Sequence, residues 1–257
     1  MITVLSPAKK LSSNCSAYGT NYSHPKFLDA SKKLVNRLKK FDPPSLQSLM
    51  GISEKLSELN WERYQAWEYP ASPEISREAI YTYMGDTYTG LEALTLSGDD
   101  INFAQKTTRI LSGLYGVLKP LDLIQHHRLE MGTKLVNKSG KNLYEYWSNS
   151  LSKYISEELK NHNNSTIINC ASVEYFKSID IPELNNPVVT PQFKEMKKGK
   201  FRIVSFYAKK ARGMMARYII QNRIQNPNDI RSFNLDGYSY NESLSTLLTP
   251  VFTRVSS

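Results

Sequence analysis

Short strand-like runs alternate with helical patterns along most of the chain, and this alternation limits the fold more than any other feature of the sequence. Strand-like runs occur at 2–5, 79–84, 166–170, 188–190 and 201–206. Helical patterns follow several of them, at 100–108, 146–159, 173–178 and 208–224. The sequence therefore predicts a mixed α/β or α+β fold, with the strand order left open.

The proline pair Pro43-Pro44 separates two helical regions near the start of the chain. Pro25 suits the first turn of a helix, and apolar residues then recur at helical spacing as far as Phe41. The proline pair is expected to end this helix. A second helical region covers 45–67, and we predict that it forms a small insertion within one domain that spans residues 1–257.

Residues 46–56 resemble a helix-hairpin-helix element, which usually reads Leu-x-x-Leu-x-Gly-Ile-Gly. Here Gly51 forms the hairpin, Ser53 replaces the second glycine and Lys55 follows. A tight glycine hairpin exposes backbone N–H groups at a helix N-terminus, where a phosphate can dock. The alternative is a plain helical hairpin that packs its apolar residues into the core.

Positive charge is concentrated in one segment. The formal net charge is +9, and residues 194–217 hold nine basic residues against one acid, Glu195, so that segment alone carries +8. A nearly neutral protein with one concentrated basic segment suggests a polyanionic partner, either nucleic acid, a nucleotide or acidic lipid. A solvated surface that aids solubility is the alternative.

The helical pattern at 208–224 sorts its residues onto two faces. One face is apolar and gathers Ala211, Met214, Met215 and Tyr218, whereas the other gathers Lys209, Lys210, Gly213 and Arg217. A glycine in the middle of a helix is unfavourable by about 1 kcal/mol relative to alanine. We interpret Gly213 as a position where a phosphate approaches the backbone between cations. Close packing against another element is the alternative.

Several polar residues lie in glycine-rich segments or at strand ends and are candidates for catalysis: Asp86, Tyr88, Arg128, Glu130, Glu174 and Lys177. If they converge with Lys9 and Lys209, they form a cleft suited to acid–base chemistry. Helix capping and structural ion pairing are the alternatives for the same residues. No motif is specific enough to name a reaction.

Other functional classes find little support in the sequence. The two cysteines, Cys15 and Cys170, are far apart, and Cys170 lies in an apolar run that is expected to be buried, so peroxide destruction by an activated thiolate is not expected. The adjacent pair His126-His127 near Glu130 does not form a metal-ligand pattern. We therefore expect no metal, no cofactor and no membrane segment, and a cytoplasmic location.

Six segments together resemble the YaaA family of peroxide stress proteins, in the right order and over nearly the whole chain. They are Ser6–Lys9, 85–91, 111–122, 128–132, 171–177 and 205–213. The resemblance implies an α/β fold of unusual topology with a positively charged cleft and a helix-hairpin-helix element. It also implies binding to double-stranded DNA and a role in limiting free iron and iron-driven DNA damage during peroxide stress.

The resemblance assigns DNA contacts to particular positions of this chain. The expected DNA-binding residues are Lys9, Lys10, Gly51, Ser53, Lys55, Lys209, Lys210, Arg212, Gly213 and Arg217. The expected partner is double-stranded or branched DNA, and a nucleotide-like small molecule is a further candidate. The alternative function is that of an enzyme that acts on a nucleobase, a nucleotide or DNA in the polar cleft.

Overall fold

A computed structural model describes residues 1–255, over which short strands and helices alternate. The strands are β1 (Ile2–Leu5), β2 (Lys10–Leu11), β3 (Arg77–Glu78), β4 (Tyr83–Met84), β5 (Thr108–Ser112), β6 (Gly116–Leu118), β7 (Leu123–Ile124), β8 (Ile167–Asn169), β9 (Val188–Val189), β10 (Gln192–Lys197), β11 (Lys200–Arg202), β12 (Ser239–Tyr240) and β13 (Val251–Arg254). The predicted mixed α/β class is confirmed.

The helices are α1 (Leu28–Leu38), α2 (Pro43–Met50), α3 (Glu54–Gln65), α4 (Ala79–Thr82), α5 (Asp86–Leu91), α6 (Gly98–Thr107), α7 (Leu143–Trp147), α8 (Ser150–Leu159), α9 (Val173–Phe176), α10 (Ile181–Leu184) and α11 (Ser205–Gln221). Short 3-10 helices lie at Ala93–Thr95, Pro227–Ser232, Leu235–Gly237 and Glu242–Leu244. The last two residues of the predicted 1–257 domain lie outside the described range.

A five-stranded sheet in the order β6-β5-β1-β8-β9 forms the centre of the protein. Strand β1 lies between β5 and β8 and runs parallel to both, whereas β6 pairs antiparallel with β5 at one edge. Every side chain of β1, β5 and β8 is buried. Burial on both faces explains why these strands are apolar without strict alternation.

The connections of this sheet change direction between β1 and β8. From β1 the chain crosses towards β5 on one side, and from β8 it continues to β9 on the other side. In open parallel sheets such a reversal opens a crevice at the carboxyl ends of the two strands, and ligands commonly bind there. The crevice lies where β1 ends near Ser6 and where β8 ends near Cys170.

A second sheet in the order β11-β10-β13-β12 lies towards the C-terminal part of the chain. Its strand β10 carries Glu195, which is fully buried and accepts hydrogen bonds from Arg254 (Nε to Oε2, 3.0 Å) and from the Tyr238 hydroxyl. The single acid of the basic segment is therefore used internally and does not neutralise the surface lysines around it.

Helices α5 and α11 cross with their backbones in contact. A Cβ atom added at Gly213 would lie 1.7 Å from the carbonyl oxygen of Thr87, and one added at Gly90 would lie 2.0 Å from the carbonyl oxygen of Lys210. The prediction that Gly213 admits a phosphate is wrong, because α5 covers this position and Gly213 is buried. The alternative, close packing of two helices, is what the glycine permits.

Two predicted strands were wrong. Residues 79–84 form the helical turn α4, in which the Thr82 hydroxyl donates to the carbonyl of Glu78 (2.9 Å), and only Tyr83–Met84 is extended. In 201–206 the strand β11 ends at Arg202, and α11 begins at Ser205. Because Ile203 and Phe206 are more than half exposed, this run is not the buried strand that its apolar residues indicated.

The region 45–67 forms two helices joined by a glycine turn. The first begins at Pro43, after the Asp42 carboxylate accepts a hydrogen bond from the Ser45 amide (2.9 Å), so the proline pair starts a helix as well as following one. It ends at Gly51, whose φ of 60° is left-handed. The hairpin tip is exposed at Gly51 and at Ser53.

Candidate functional site

Hydrogen bonds that involve Ser6, Ser172 and Tyr88 hold the carboxyl ends of strands β1 and β8 in place. The backbone N–H of Ser172, after β8, donates to the Ser6 hydroxyl at 2.8 Å, after β1. The Tyr88 hydroxyl on α5 donates to the carbonyl of Ser6 at 3.0 Å. The crevice between β1 and β8 is therefore held by bonds that do not depend on a ligand.

Residues 128–132 cover these strand ends, and three contacts fix their position. The buried Tyr64 hydroxyl donates to the carbonyl of Arg128. The amide of Gly132 donates to the Glu174 carboxylate at 3.0 Å. A Cβ atom at Gly113 would lie 2.3 Å from the carbonyl oxygen of Leu129, so the cover rests directly on the turn that follows β5. We call residues 128–132 the covering segment.

A cluster of three charges lies at the edge of the covering segment. Glu130 Oε1 lies 3.1 Å from Lys9 Nζ and 2.9 Å from a terminal nitrogen of Arg128, whose Nε donates to the same oxygen at 3.2 Å. The Glu130 and Arg128 side chains are mostly buried, while that of Lys9 is 68% exposed. Of the eight residues whose convergence would form a polar cleft, these three meet here, and the Glu130 carboxylate is paired with two cations.

A small polar cavity of about 20 Å³ lies beside this cluster, large enough for about one water molecule. Its walls include Tyr83, Ser112, His127 and Tyr175. The Tyr83 hydroxyl is buried, and the Ser112 side chain interacts with it. Buried hydroxyls need hydrogen-bond partners, so these two side chains mark the place where a water or a ligand oxygen would be bound.

Burial sets the protonation of the cavity walls. It raises the pKa of Tyr83 and of Tyr175 far above the ordinary value, so both phenols stay protonated and act as donors. It also lowers the pKa of His127 to about 4, and the imidazole is therefore neutral near pH 7. The His127 Nδ1–H donates to the carbonyl of Gln125 (2.8 Å), so the cavity beside the charge cluster is lined by two protonated phenols and a neutral imidazole, none of which carries net charge.

The remaining candidate residues divide into two groups. Tyr88 and Glu174 take part in the contacts around the strand ends, and Asp86 begins α5 close by, next to Gly85, whose added Cβ would lie 3.5 Å from the Cβ of Ala8. Lys177 lies apart, with its Nζ 5.1 Å from the centre of the Tyr144 ring, at a different surface cavity.

The sequence did not single out the cavity walls Tyr83 and Tyr175 as site residues. Tyr83 lies in the run 79–84, which is predicted as one longer strand. Ser112 lies in the segment 111–122, which contributes only to the family resemblance. The usable signal was position, since Ser112 ends a buried parallel strand, where ligand sites form.

The basic residues of α11 differ in how far they are neutralised. Lys210 contacts the Asp236 carboxylate at 3.4 Å, and Arg217 donates to the carbonyls of Leu91 and Glu92 at 3.0 Å. Arg212 is partly buried, and desolvation lowers its pKa. Lys209 is exposed and has no acidic partner within the described residues.

The β10–β11 hairpin carries a more exposed set of cations. Lys197, Lys198, Lys200 and Arg202 are all exposed, and none of them contacts a carboxylate anywhere in residues 1–255. The chain turns at Lys198 and Gly199, whose φ values of 50° and 73° are both positive. The four cations therefore lie on and beside a tight turn at the end of the sheet. We call residues 197–202 the basic hairpin.

The comparisons with known proteins decide the family. A family model described as "Peroxide stress protein YaaA" matches residues 1–244. The chain belongs to the peroxide stress protein YaaA family. It is 49% identical over 254 residues to a UPF0246 protein of Hahella chejuensis, with 99% of each chain covered. It is 48% identical over 251 residues to one of Marinomonas sp., with 98% of this chain and 96% of the relative covered.

A third relative extends the same similarity within the family. A UPF0246 protein of Idiomarina loihiensis is 46% identical over 254 residues, with 99% of this chain and 98% of the relative covered. Because these matches run from end to end, the covering segment and the basic hairpin both lie within the shared length.

Among residues 1–255, no group of three His, Cys, Asp or Glu side chains is placed to hold a metal ion, and no helix is long and apolar enough to cross a membrane.

Proposed function

We propose that this YaaA-family chain is a cytoplasmic DNA-binding protein that protects cells against peroxide and iron-driven DNA damage. The observation that carries the proposal is the basic hairpin. Its four exposed cations have no carboxylate partner in the described part of the chain, and the one acid nearby, Glu195, is buried in an internal ion pair. Uncompensated surface cations release counterions from a DNA backbone, which drives binding without reading sequence.

The helical hairpin α2–α3 supports a second contact with DNA. Ser53 precedes α3 with an extended backbone and makes no side-chain capping bond, so its hydroxyl and the first N–H groups of a 12-residue helix are open to solvent. A phosphate can dock on such a helix start. Glu54 in the first turn opposes this, and we therefore assign the larger share of affinity to the basic hairpin, with Lys55, Lys9, Lys10 and Lys209 as additional exposed cations.

The test replaces Lys197, Lys198 and Lys200 together by alanine and measures binding of duplex and four-way branched DNA by fluorescence anisotropy over a range of salt. If the three lysines contact phosphates, the slope of log affinity against log salt falls by about 2.7, since each phosphate contact contributes roughly 0.9. The matched control replaces three exposed lysines elsewhere, Lys106, Lys153 and Lys160, and removes the same charge.

The two variants separate location from net charge. An equal loss of affinity in both would mean that binding follows total charge only, and an unchanged slope in the hairpin variant would reject the proposed surface. Tighter binding of branched DNA than of duplex would assign shape recognition to the α2–α3 hairpin. Substitution of Ser53 by proline, which removes a backbone N–H at that helix start, should then abolish the preference.

A second candidate function is an enzyme that acts on a nucleobase, a nucleotide or DNA at the covered strand ends. It is favoured by the buried hydroxyls of Tyr83 and Ser112 beside the Glu130 cluster, at the reversal point of the sheet. The test incubates the purified chain with nucleosides, nucleotides and duplex DNA and follows products by chromatography. Turnover that is lost in Tyr83→Phe and in Glu130→Gln, and kept in Lys177→Ala, would support this function. The absence of any product would reject it for these substrates.

A further inference from the structure

A groove of about 610 Å³ runs between helix α1 and residues 137–150, on a part of the molecule that the proposed DNA surface does not use. Ligand sites for small molecules commonly occupy about 300–1,000 Å³. The groove has an aromatic floor and a positively charged rim. These two properties decide which kind of ligand can bind in it.

The floor consists of aromatic and aliphatic side chains, Phe27, Leu34, Tyr146 and Trp147. Phe27 and Tyr146 each meet the Trp147 ring edge to face, at 5.7 and 5.1 Å between centroids. The polar atoms of the two larger rings are already satisfied, because the Tyr146 hydroxyl donates to the carbonyl of Ala30 (2.7 Å) and Trp147 Nε1 donates to that of Gly113 (3.0 Å). Leu34 and Trp147 are almost fully buried, so the floor offers apolar and π surface to a ligand through the partly exposed rings of Phe27 and Tyr146, which Trp147 holds in place.

The charged residues of the rim are all cations. Lys33 and Arg37 lie on one face of α1, Lys40 follows the end of that helix, and Lys138 lies on the opposite wall. No acidic side chain lines the groove. Within residues 1–255 none of the three lysines contacts a carboxylate, and Arg37 donates only to the carbonyl of Val136, at 3.4 Å.

The nearest acids on the two walls are engaged away from the groove. Asp29, one turn before Lys33, accepts a hydrogen bond from the Tyr69 hydroxyl. Glu145 folds over the turn beside it, where its carboxylate accepts from the Lys141 amide (2.8 Å) and from the Asn142 side chain (2.7 Å). The four rim cations therefore retain an uncompensated positive charge next to an apolar floor.

We propose that this groove binds a nucleoside phosphate, with its base on the aromatic floor and its phosphates between the rim lysines. A planar π system matches the floor, and several negative oxygens match the rim. Paired bases of a duplex have their faces covered by neighbouring pairs and cannot stack on this floor. A free nucleotide presents both chemistries at once, which neither adenosine nor inorganic polyphosphate does.

The test is isothermal titration of the intact protein with ATP, GTP, adenosine and tripolyphosphate. We expect a nucleoside triphosphate to bind at least tenfold more tightly than adenosine or tripolyphosphate. We expect Lys33→Ala combined with Lys40→Ala to weaken nucleotide binding at least tenfold, and Lys106→Ala combined with Lys153→Ala to leave it unchanged. All four lysines are exposed, and thermal melting confirms that each variant is folded.

Several results would overturn the proposal. No heat with either nucleotide at millimolar concentration would reject the site, and tripolyphosphate binding as tightly as ATP would reduce it to surface charge. A short single-stranded oligonucleotide that displaces ATP and binds more tightly per site would replace the free nucleotide by an unpaired strand as the occupant. The basic hairpin variant separates the two proposals, because it should lose DNA affinity and keep nucleotide affinity.

Discussion

Substitution of Gly213 by alanine should separate helices α5 and α11 and destabilise the protein. The added methyl group would lie 1.7 Å from the carbonyl oxygen of Thr87 and 2.9 Å from the amide nitrogen of Leu91. The first distance is half of the 3.4 Å at which ordinary contact begins. Both atoms belong to the backbone of α5, so no side-chain rotation relieves the overlap, and the helix itself must move.

The size of the effect follows from two opposing contributions. Overpacking of a tightly packed contact costs about 1–3 kcal/mol, and a backbone overlap belongs at the upper end of that range. Alanine gains about 1 kcal/mol over glycine in helix propensity. The expected net loss is about 2 kcal/mol of unfolding free energy, which lowers Tm by about 4–8 °C in a protein of this size.

The assay is urea unfolding followed by circular dichroism, with Gly98→Ala as the matched control. Gly98 is the first residue of α6, and no atom lies within 4 Å of its added Cβ, so its substitution should change stability by less than about 0.5 kcal/mol. If Gly213→Ala were as stable as the original protein, the two helices would not be in backbone contact. A DNA affinity that fell while stability was unchanged would restore the rejected interpretation of Gly213 as a phosphate contact.

Three further results are expected. Burial raises the pKa of Cys170 to about 12, so under native conditions a thiol reagent should modify the exposed Cys15 alone, and peroxide should not be consumed; rapid modification of both thiols would contradict this. Burial lowers the pKa of His127 from 6.5 to about 4, so its contribution to stability is present above pH 6.5 and is lost as the pH falls towards 4. The loss is about 3 kcal/mol in urea titrations, and it should be smaller in His127→Gln. Glu195→Gln should cost about 1.5–3 kcal/mol because it removes the charge of a fully buried carboxylate that accepts hydrogen bonds from Arg254 and Tyr238, although Arg254 keeps its contact with Asp236, whereas Glu157→Gln at an exposed ion pair should cost less than about 1 kcal/mol.

The fold class could be predicted from the sequence because the periodicities of 2 and 3.6 are local properties. Strand β10 was missed, since its sequence mixes lysines with the buried Phe193 and Glu195, and only pairing with β13, some 60 residues later, makes it a strand. The run 201–206 was wrongly predicted to be a strand throughout, because its apolar residues indicated burial. Its Ile203 and Phe206 are apolar, but no neighbouring strand receives them, and they remain exposed.

The candidate site could be predicted in part. The sequence raised the convergence of Lys9 with Arg128 and Glu130 as one arrangement that would form a polar cleft, and these three side chains do meet. Lys9 follows β1, whereas Arg128 and Glu130 lie in the covering segment, so the loop that covers the strand ends brings them together. Gly213 could not be assigned from its own helix. A glycine on a basic face looks the same whether a ligand or another helix approaches it, and only the position of α5 separates the two.

The place of β1 in the sheet has a consequence for the order of folding. This strand is synthesised before both of its partners, Thr108–Ser112 and Ile167–Asn169. At about 5–20 residues per second, the ribosome delivers its second partner roughly 10–30 s after the strand itself. Until Thr108–Ser112 has emerged, β1 has no strand to pair with, and its other edge stays open to chaperones and to neighbouring chains until residue 169 has emerged.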